Sequence, residues 1–455
     1  MLWNTPPCPC NRFRQVGAAF YFSRASPQTI IMTRVLVIGA GAQGGPCASI
    51  LASDRDVSGI VLADINLELA KRVAKKVGSD KIAAVKLDAG NVDEVVQAAK
   101  GIEVIINLTL TAYDMIIMEA ALRGGANYVD TSFGEPTLLD IRAKDNILAQ
   151  IIEKRPISFD KEFKDAGLTA ILGCGISPGM VNVITRFVCD KLDAVEKIRI
   201  RLGDRPTNPS NEVVSAWAPT WSPFRALWGY AVEPTIFEDG QFKKYPLFAC
   251  PEEYHFPEPV GTILLTYHQH QEPITLPHFI GKGIKYCDFK YPLDTLAGAF
   301  VKMGFASPDA LDVAGVKVVP RDVLLKLARP PVEAFLTEDE RSSKLPPREV
   351  YCTVVEVEGT RSGEKCQYTV STPWPSLITL EERTNVYEKL GTTMIDVALP
   401  AAVGAKICVK GTAEKGVICA ECLDPGAFLK MTTEMGAPVK LHETITRELS
   451  FTGHV

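Results

Sequence analysis

The sequence predicts an α/β protein in which a doubly wound parallel sheet is joined to a second, sheet-rich region. From residue 33 to residue 172, short apolar runs alternate with segments of helical length, as in a parallel sheet. From residue 196 onward, alternating polar and apolar residues predict strands with one solvated or interfacial face. A chain of 455 residues is long enough for two or three domains.

The composition narrows the class of protein. The chain has 49 Lys and Arg against 54 Asp and Glu, a formal net charge of −5, which argues against nucleic acid or a membrane surface as the main partner. No apolar run approaches the ~18 residues of a membrane span. Twelve cysteines without regular spacing fit a reducing compartment, so we expect a cytoplasmic protein.

The first 32 residues differ from the rest of the chain. They contain Arg12, Arg14 and Arg24 but no acidic residue, and the first acid is Asp54. We interpret residues 1–32 as an N-terminal extension outside the fold. Translation starting at Met32, a disordered tail and an Arg-rich organelle transit peptide would each explain this composition.

A glycine-rich turn follows the first apolar run, residues 35–38, and precedes a helical segment. Its glycines complete the pattern G-x-G-x-x-G, in which the first allows a tight turn and the second lets a pyrophosphate approach the backbone. The third lets helix and strand pack closely, and the helix N-terminus faces the phosphate charge. This context predicts a Rossmann dinucleotide site at Gly39, Gly41, Ala42, Gln43 and Gly44.

Asp64 ends the second apolar strand, 25 positions after Gly39. A carboxylate at this place accepts a hydrogen bond from the ribose 2′-hydroxyl and repels a 2′-phosphate, so the sequence favours NAD over NADP. The alternative is that Asp64 is the N-cap of the next helix.

Polar residues follow the later strands of this region, where parallel sheets bind their ligands. Asp88 follows the third strand, Asn107 and Thr109 lie at the fourth, and Asp130 and Ser132 come after the fifth. We expect the first three to contact the cofactor. We expect Asp130 to face the cleft as an acid–base candidate and Ser132 to contact substrate.

Several phrases together resemble the saccharopine dehydrogenase family, in the branch that includes lysine 6-dehydrogenases. They are the glycine unit, NYVDTSF, GCGISPGMVN, WSPFRALWGYAVEPTIFEDGQ, HQHQEPITLP and VKVVPRDVLLKLA. The resemblance covers nearly everything from Thr33 to the C-terminus. Two departures are a lengthened segment at 146–159 and the doublet of His268 and His270, where a single histidine is expected.

The resemblance implies a nicotinamide-linked oxidoreductase that acts on a carbon–nitrogen bond of an amino acid or its conjugate. It also implies a discontinuous fold: a Rossmann domain at 33–178, a mixed α/β substrate and dimerisation domain at 179–385, and C-terminal helices at 386–455 that return to the Rossmann domain. A small amino-acid substrate and a homodimer are the partners implied.

The phrase GCGISPGMVN predicts a helix that starts beside the cofactor. Ser177 is placed as N-cap and Pro178 as the first helical residue, and the free N–H groups could hold a substrate carboxylate. The alternative is that this helix only links the domains. The substrate candidates of this phrase are Cys174, Ser177, Gly179 and Asn182.

Oxidation of an amine needs a base, and histidine is the natural candidate. His268 and His270 share one face if they lie in a strand, and Glu272 joins them if that strand continues. The H-x-H pair also resembles half of a metal site but has no third ligand, so we predict no metal. Trp221 is a candidate pocket wall, and Arg225 is a candidate partner for a carboxylate.

The cysteine pair Cys419 and Cys422 is interpreted as a coincidence on a helix face, because neither a zinc ribbon nor a thioredoxin-like context surrounds it.

From the glycine motif and the family resemblance together, we expect an NAD-dependent dehydrogenase of lysine or a saccharopine-like amino acid. Two alternatives are a polyamine-pathway dehydrogenase of the carboxynorspermidine or homospermidine type, and a non-catalytic NAD-binding sensor or scaffold.

Overall fold

The structure is a computed structural model and describes residues 32–134, 146–206, 217, 219, 221–328, 331–337, 340, 349–375 and 377–447. The predicted N-terminal extension lies outside the described residues, apart from Met32. In the described part of the chain, no helix is both long and apolar enough to cross a membrane.

Strands and helices alternate regularly only in the first part of the chain. The strands are β1 (Thr33–Ile38), β2 (Val57–Asp64), β3 (Ile82–Lys86), β4 (Val104–Asn107), β5 (Asn127–Asp130), β6 (Thr169–Leu172), β7 (Ala194–Pro206), β8 (Thr235–Glu238), β9 (Gln241–Lys244), β10 (Glu252–His255), β11 (Thr262–Tyr267), β12 (Tyr286–Pro292), β13 (Leu311–Val313), β14 (Val316–Val318), β15 (Glu349–Arg361), β16 (Glu364–Thr372), β17 (Gly416–Cys419) and β18 (His442–Arg447). The α-helices are α1 (Gly44–Ser53), α2 (Leu67–Val77), α3 (Val92–Ala98), α4 (Asp114–Gly124), α5 (Ile147–Ile152), α6 (Asp160–Asp165), α7 (Met180–Cys189), α8 (Pro223–Gly229), α9 (Glu272–Ile280), α10 (Thr295–Lys302), α11 (Pro320–Leu327), α12 (Val332–Thr337), α13 (Leu380–Leu390), α14 (Ala398–Lys410) and α15 (Pro425–Met435).

The first sheet has seven parallel strands in the order β17-β6-β5-β4-β1-β2-β3. It is buried on both faces, because Val35 and Val37 pack into one core with α1 and α14, whereas Leu36 and Ile38 pack into another with α4. This is the doubly wound arrangement that a continuous apolar run predicts. The predicted α/β fold class is confirmed.

The second sheet is mixed, with nine strands. Its main order is β10-β11-β12-β7-β15-β16-β18, and β8 and β9 extend it from β12. Among the described strands of this sheet, β7 and β12 pair in parallel and the other pairs are antiparallel. Side chains of β7 and β15 belong to the same apolar core as α1 and α14, so the two sheets share one core.

The C-terminal segment contributes to both sheets, which corrects the expectation of helices alone. Strand β17 pairs with β6 at the edge of the parallel sheet, and α14 contacts α1 and β5. Strand β18 instead pairs with β16 in the second sheet. Cys419 ends β17 and Cys422 lies in a short 3-10 helix, so the interpretation of this pair as a helix face is wrong.

Candidate active site

One cleft of about 580 Å³ joins the carboxyl edge of the parallel sheet to the second sheet. Its lining begins at the glycine turn and continues past Thr109 and Ser132 to Arg225 and the two histidines. The cleft therefore brings together most of the residues that the sequence singles out. Those that line it are Gly39, Gly41, Ala42, Gln43, Asp64, Asp88, Thr109, Ser132, Ser177, Trp221, Arg225, His268 and His270.

The three glycines of the turn have different local constraints. A Cβ at Gly44 would lie 2.1 Å from the Gly39 carbonyl oxygen, so this glycine allows the close approach of α1 to the strand. Gly39 has φ +103°, a conformation that side chains disfavour. Gly41 lines the cleft, and a Cβ there would have no neighbour within 4 Å. The turn thus presents bare backbone and a helix N-terminus to the cleft, which fits a pyrophosphate.

Asp64 holds the glycine turn in place. One of its oxygens accepts from the Ala40 N–H at 2.8 Å and the other from the Asn66 N–H at 2.8 Å. The N-cap of α2 is Asn66, whose side chain accepts from the Leu69 N–H, so the alternative interpretation of Asp64 as the N-cap is wrong. Arg225 is the only Lys or Arg among the described residues that line the cleft. The described lining next to Asp64 therefore contains no Lys or Arg that could bind a 2′-phosphate.

Asn107 and Thr109 act as a pair at the end of β4. Asn107 is buried and does not line the cleft, in contrast to the expected cofactor contact. Its side-chain oxygen accepts from the Thr109 N–H at 3.0 Å and from the Thr109 hydroxyl at 2.7 Å. Its side-chain nitrogen donates to Asp114 and to the Tyr128 hydroxyl. Asn107 therefore orients Thr109, which does face the cleft.

Asp130 is fully buried and does not line the cleft, so the expectation that it faces the cleft is wrong. One carboxylate oxygen accepts from the Gly173 N–H at 2.6 Å, and the backbone carbonyl of Asp130 accepts from the Cys174 N–H. Burial raises the pKa of Asp130 to about 8. Burial, with the charge of Asp130, also raises the pKa of Asp114. Asp130 fixes the turn after β6.

The two histidines lie on the connection between β11 and α9, because β11 ends at Tyr267. The predicted strand therefore ends before both histidines, and the condition under which Glu272 would share their face is not met, since Glu272 begins a helix. His268 is buried edge-on to Tyr230, with ring centroids 4.7 Å apart. Burial lowers its pKa well below the ordinary range, and the charge of Arg225 lowers it further. His268 is therefore neutral and packed.

His270 belongs to a hydrogen-bonded chain with Glu272 and Ser177. Glu272 is fully buried; one of its oxygens contacts His270 Nδ1, and the other accepts from the Ser177 hydroxyl at 2.5 Å. The His270 ring stacks on Phe289 with centroids 4.1 Å apart. Because Nδ1 is held by the carboxylate, Nε2 is the nitrogen that can exchange a proton with a ligand.

Gln271 is a site residue that the sequence analysis missed. Its amide nitrogen donates to the Ser132 hydroxyl at 3.0 Å and to the Phe133 carbonyl at 3.3 Å. Its oxygen is buried without a hydrogen-bond partner among the described residues, and the side chain lines the cleft. Its position between His270 and Glu272 was the only available signal.

Three substrate candidates lie behind the lining. Cys174 is buried and its thiol donates to the Pro400 carbonyl, and burial raises its pKa. Helix α7 begins at Met180 with Gly179 as N-cap, so the assignment of Ser177 as N-cap is wrong. Asn182 accepts from the Gly179 N–H at 2.9 Å and donates to Glu421 at 3.0 Å. Gly179 and Asn182 thus stabilise the start of the helix.

Arg225 and Trp221 line the part of the cleft nearest α8. The Arg225 guanidinium lies 4.8 Å from the centroid of the Trp228 ring, in cation–π contact. Burial lowers its pKa to about 10, so it remains a cation at neutral pH. Across the described residues, no group of three or more His, Cys, Asp or Glu side chains could hold a metal ion.

Two family descriptions match almost the whole folded chain. Residues 35–171 match the saccharopine dehydrogenase NADP binding domain, and residues 175–437 match the saccharopine dehydrogenase C-terminal domain. The chain belongs to the saccharopine dehydrogenase family. It is an oxidoreductase whose Rossmann domain binds a nicotinamide dinucleotide.

Individual relatives are distant but span the full length. The chain is 25% identical over 438 residues to carboxyaminopropylagmatine dehydrogenase of Synechocystis sp., covering 92% of this chain and 100% of that protein. It is 24% identical over 430 residues to carboxynorspermidine synthase of Vibrio alginolyticus, covering 88% and 95%. The structure of apo saccharopine dehydrogenase (L-Glu forming) from Saccharomyces cerevisiae superposes with a TM-score of 0.60 at 15% identity, covering 91% and 100%, and supports the fold.

Proposed function

We propose that this protein catalyses hydride transfer between a nicotinamide cofactor and the CH–NH centre of a polyamine-type substrate that bears a carboxylate. The observation that carries the proposal is that the bare glycine turn and His270, whose Nδ1 is held by the buried Glu272, line one cleft. The names of the two curated relatives support the substrate class, since both refer to carboxylated polyamines or agmatine. Such a substrate was the alternative to lysine or saccharopine in the sequence analysis.

The chemistry balances in either direction. In the reductive direction, an amine and an aldehyde condense to an imine with loss of water, and the imine carbon then gains a hydride while its nitrogen gains a proton. The nicotinamide supplies the hydride. His270 Nε2 supplies or removes the proton, and the Glu272 carboxylate holds the imidazole by Nδ1 and stabilises its charged form.

Arg225 is proposed to bind the substrate carboxylate. It is the one Lys or Arg of the described cleft lining, and a planar guanidinium can pair with a carboxylate through two hydrogen bonds. Trp228 beneath it keeps the guanidinium in place. We propose that Ser132 orients Gln271 towards the reacting nitrogen.

We propose that NAD is preferred over NADP. The support is Asp64, whose carboxylate lines the cleft at the end of β2, together with the neighbouring lining residues Ile65, Asp88 and Ala89, none of which is basic. A 2′-phosphate would meet carboxylates there, without a cation to balance it. The homodimer, the cytoplasmic location and the domain boundaries stay predictions.

The test is nicotinamide absorbance with purified protein. NADH and NADPH are each offered with diamines or agmatine and a carboxylated aldehyde, and NAD and NADP with saccharopine, L-lysine and carboxylated polyamines. The proposal predicts turnover that needs a carboxylated polyamine or its two precursors. Turnover with saccharopine or lysine alone would overturn the substrate class. Tight dinucleotide binding without any turnover would favour the sensor alternative.

A further inference from the structure

Beyond the histidines, the cleft ends in tyrosines whose hydroxyls are held by carboxylates. Tyr291 and Tyr351 line this end together with the Asp396 side chain. The Tyr291 hydroxyl donates to Asp204 at 2.6 Å, and the Tyr351 hydroxyl donates to Glu349. The wall is therefore made of aromatic rings with negative charge directly behind them.

Strand register brings these groups together. Tyr351 of β15 lies opposite Asp204 of β7 in the antiparallel ladder. Burial, together with the charge of Glu349, raises the pKa of both Asp204 and Asp396 to about 6, so both are largely ionised at neutral pH. Among the described residues, no Lys or Arg forms a salt bridge with Asp204 or Asp396. The negative charge is not neutralised locally.

A second, independent feature points to a ligand that donates hydrogen bonds. Gln271 is fully buried and lines the same cleft, yet its amide oxygen has no partner among the described residues. The orientation of this amide is fixed, because the Phe133 carbonyl can only accept and so requires the Gln271 nitrogen. A buried acceptor of this kind calls for an N–H or O–H donor from the bound ligand.

The acidic end lies close to the reacting centre. The ring centroid of Tyr291 is 5.1 Å from that of His268, which is 6.4 Å from that of His270. Aromatic faces and carboxylates are the two groups that bind organic cations, the rings through their negative faces and the carboxylates by charge. Arg225 lines the same cleft and carries the opposite charge.

We propose that Asp396, Asp204, Tyr291 and Tyr351 form a cation subsite for the ammonium or guanidinium at the far end of the substrate amine. With Arg225 on the carboxylate, the substrate would be held at both charged ends and its C–N bond would lie beside His270. This inference rests on the proposed function and names the feature that selects its substrate: a second positive charge on the amine.

The experiment is calorimetric binding to the NAD-loaded protein, which does not depend on turnover. The probes are putrescine, agmatine and n-butylamine, so that a terminal ammonium, a terminal guanidinium and a neutral methyl end are compared on the same four-carbon chain. We expect putrescine or agmatine to bind at least ~10-fold more tightly than butylamine; the tighter of the two identifies the cation.

Variants then locate the effect. Asp396→Asn and Asp204→Asn keep the side-chain shape and should each weaken the favoured cation at least ~10-fold, with butylamine unchanged. Asp80→Asn is the matched control, because Asp80 is exposed in the turn before β3. Equal binding of butylamine and both cations, or variants that weaken none of them, would overturn the subsite.

The two proposals fail in different ways. Charge-selective binding without nicotinamide turnover would leave the subsite standing and reject the proposed function. Turnover of a diamine or agmatine with the carboxylated aldehyde, together with butylamine binding as tightly as either cation, would keep the proposed function and reject the subsite.

Discussion

The two walls of the cleft are built in different ways. The cofactor wall uses neighbours in sequence, Gly39 to Gly44, with Asp64 joined to the turn by one hydrogen bond. The substrate wall gathers Ser177, His270, Tyr291 and Asp396 from four separate connections and strands. A dinucleotide site can thus be carried by one strand–turn–helix unit, whereas a substrate site depends on how two sheets are packed together.

The largest effect should come from the substrate wall, through His270. His270→Ala should lower kcat by ~10²-fold or more, because the proton donor is lost, while dinucleotide affinity stays unchanged. Steady-state kinetics and a fluorescence titration with NADH measure the two quantities. His255→Ala is the control, since His255 is exposed and, in the part of the chain that the structure describes, its ring bonds only to the Thr262 hydroxyl. A full rate in His270→Ala would remove this histidine from the chemistry.

Glu272→Gln separates positioning from proton transfer. The amide keeps the shape but can no longer stabilise an imidazolium through Nδ1, so the rate should fall by ~10-fold or more while His270 remains. Steady-state kinetics measures the rate, and a fluorescence titration with NADH should give an unchanged dinucleotide affinity. A full rate in Glu272→Gln would mean that the carboxylate only supports the fold.

Gly41→Ala and Gly44→Ala test the cofactor wall. A Cβ at Gly41 meets open cleft, so this variant should keep its melting temperature and lose dinucleotide affinity by ~10-fold or more. A Cβ at Gly44 meets the Gly39 carbonyl at 2.1 Å, so this variant should also lose ~1–3 kcal/mol of stability. Calorimetry and thermal melting distinguish them, and unchanged affinity in Gly41→Ala would contradict the pyrophosphate site.

Asp64→Asn addresses cofactor choice with a smaller change. The amide oxygen can still accept from a backbone N–H, but the charge that repels a 2′-phosphate is lost. The ratio of NADP to NAD affinity should therefore rise several-fold, a change of roughly 1 kcal/mol or less. If the affinities for NAD and NADP change by the same factor, Asp64 only stabilises the glycine turn.

The last prediction concerns the pH dependence of stability and not turnover, and it involves the buried Asp130. Its pKa is about 8 in the fold against an ordinary value of 3.8, so the folded state holds the proton more tightly than the unfolded chain. The contribution of this proton to the free energy of unfolding is fully present below pH 3.8. It is lost progressively as the pH rises from 3.8 to about 8. Asp130→Asn stays neutral, so its melting temperature should fall less between about pH 5 and 8. Identical slopes would show that Asp130 does not titrate there.

Sequence reasoning was strongest where structure is local. The apolar run and glycine spacing predicted the parallel sheet, and the motif residues that face the cleft follow from their order in the turn. Asp130 and Asn107 were placed at the correct strand ends, but a strand alternates its side chains, and the cleft lies on one side only. Both residues instead point into buried hydrogen-bond networks.

The substrate wall could be predicted only in part, because its contacts join distant residues. Because α9 begins at Glu272, this carboxylate holds His270, whereas His268 packs edge-on against Tyr230. Pairing of β7 with β15 brings Asp204 next to Tyr351, almost 150 positions away in sequence, and no local sequence pattern predicts this pairing. Ser177 illustrates the same point, since its hydroxyl donates a hydrogen bond to Glu272 and does not cap helix α7.

The central claim is that the cofactor wall and the substrate wall act on one reaction in a single cleft. Nicotinamide deuterated at the transferable position tests this most directly, with the amine and aldehyde substrates and mass spectrometry of the product. Our account predicts a secondary amine that carries a single deuterium on the carbon of the new C–N bond. A product without deuterium, or no product from protein that binds both the dinucleotide and the amine, would contradict it.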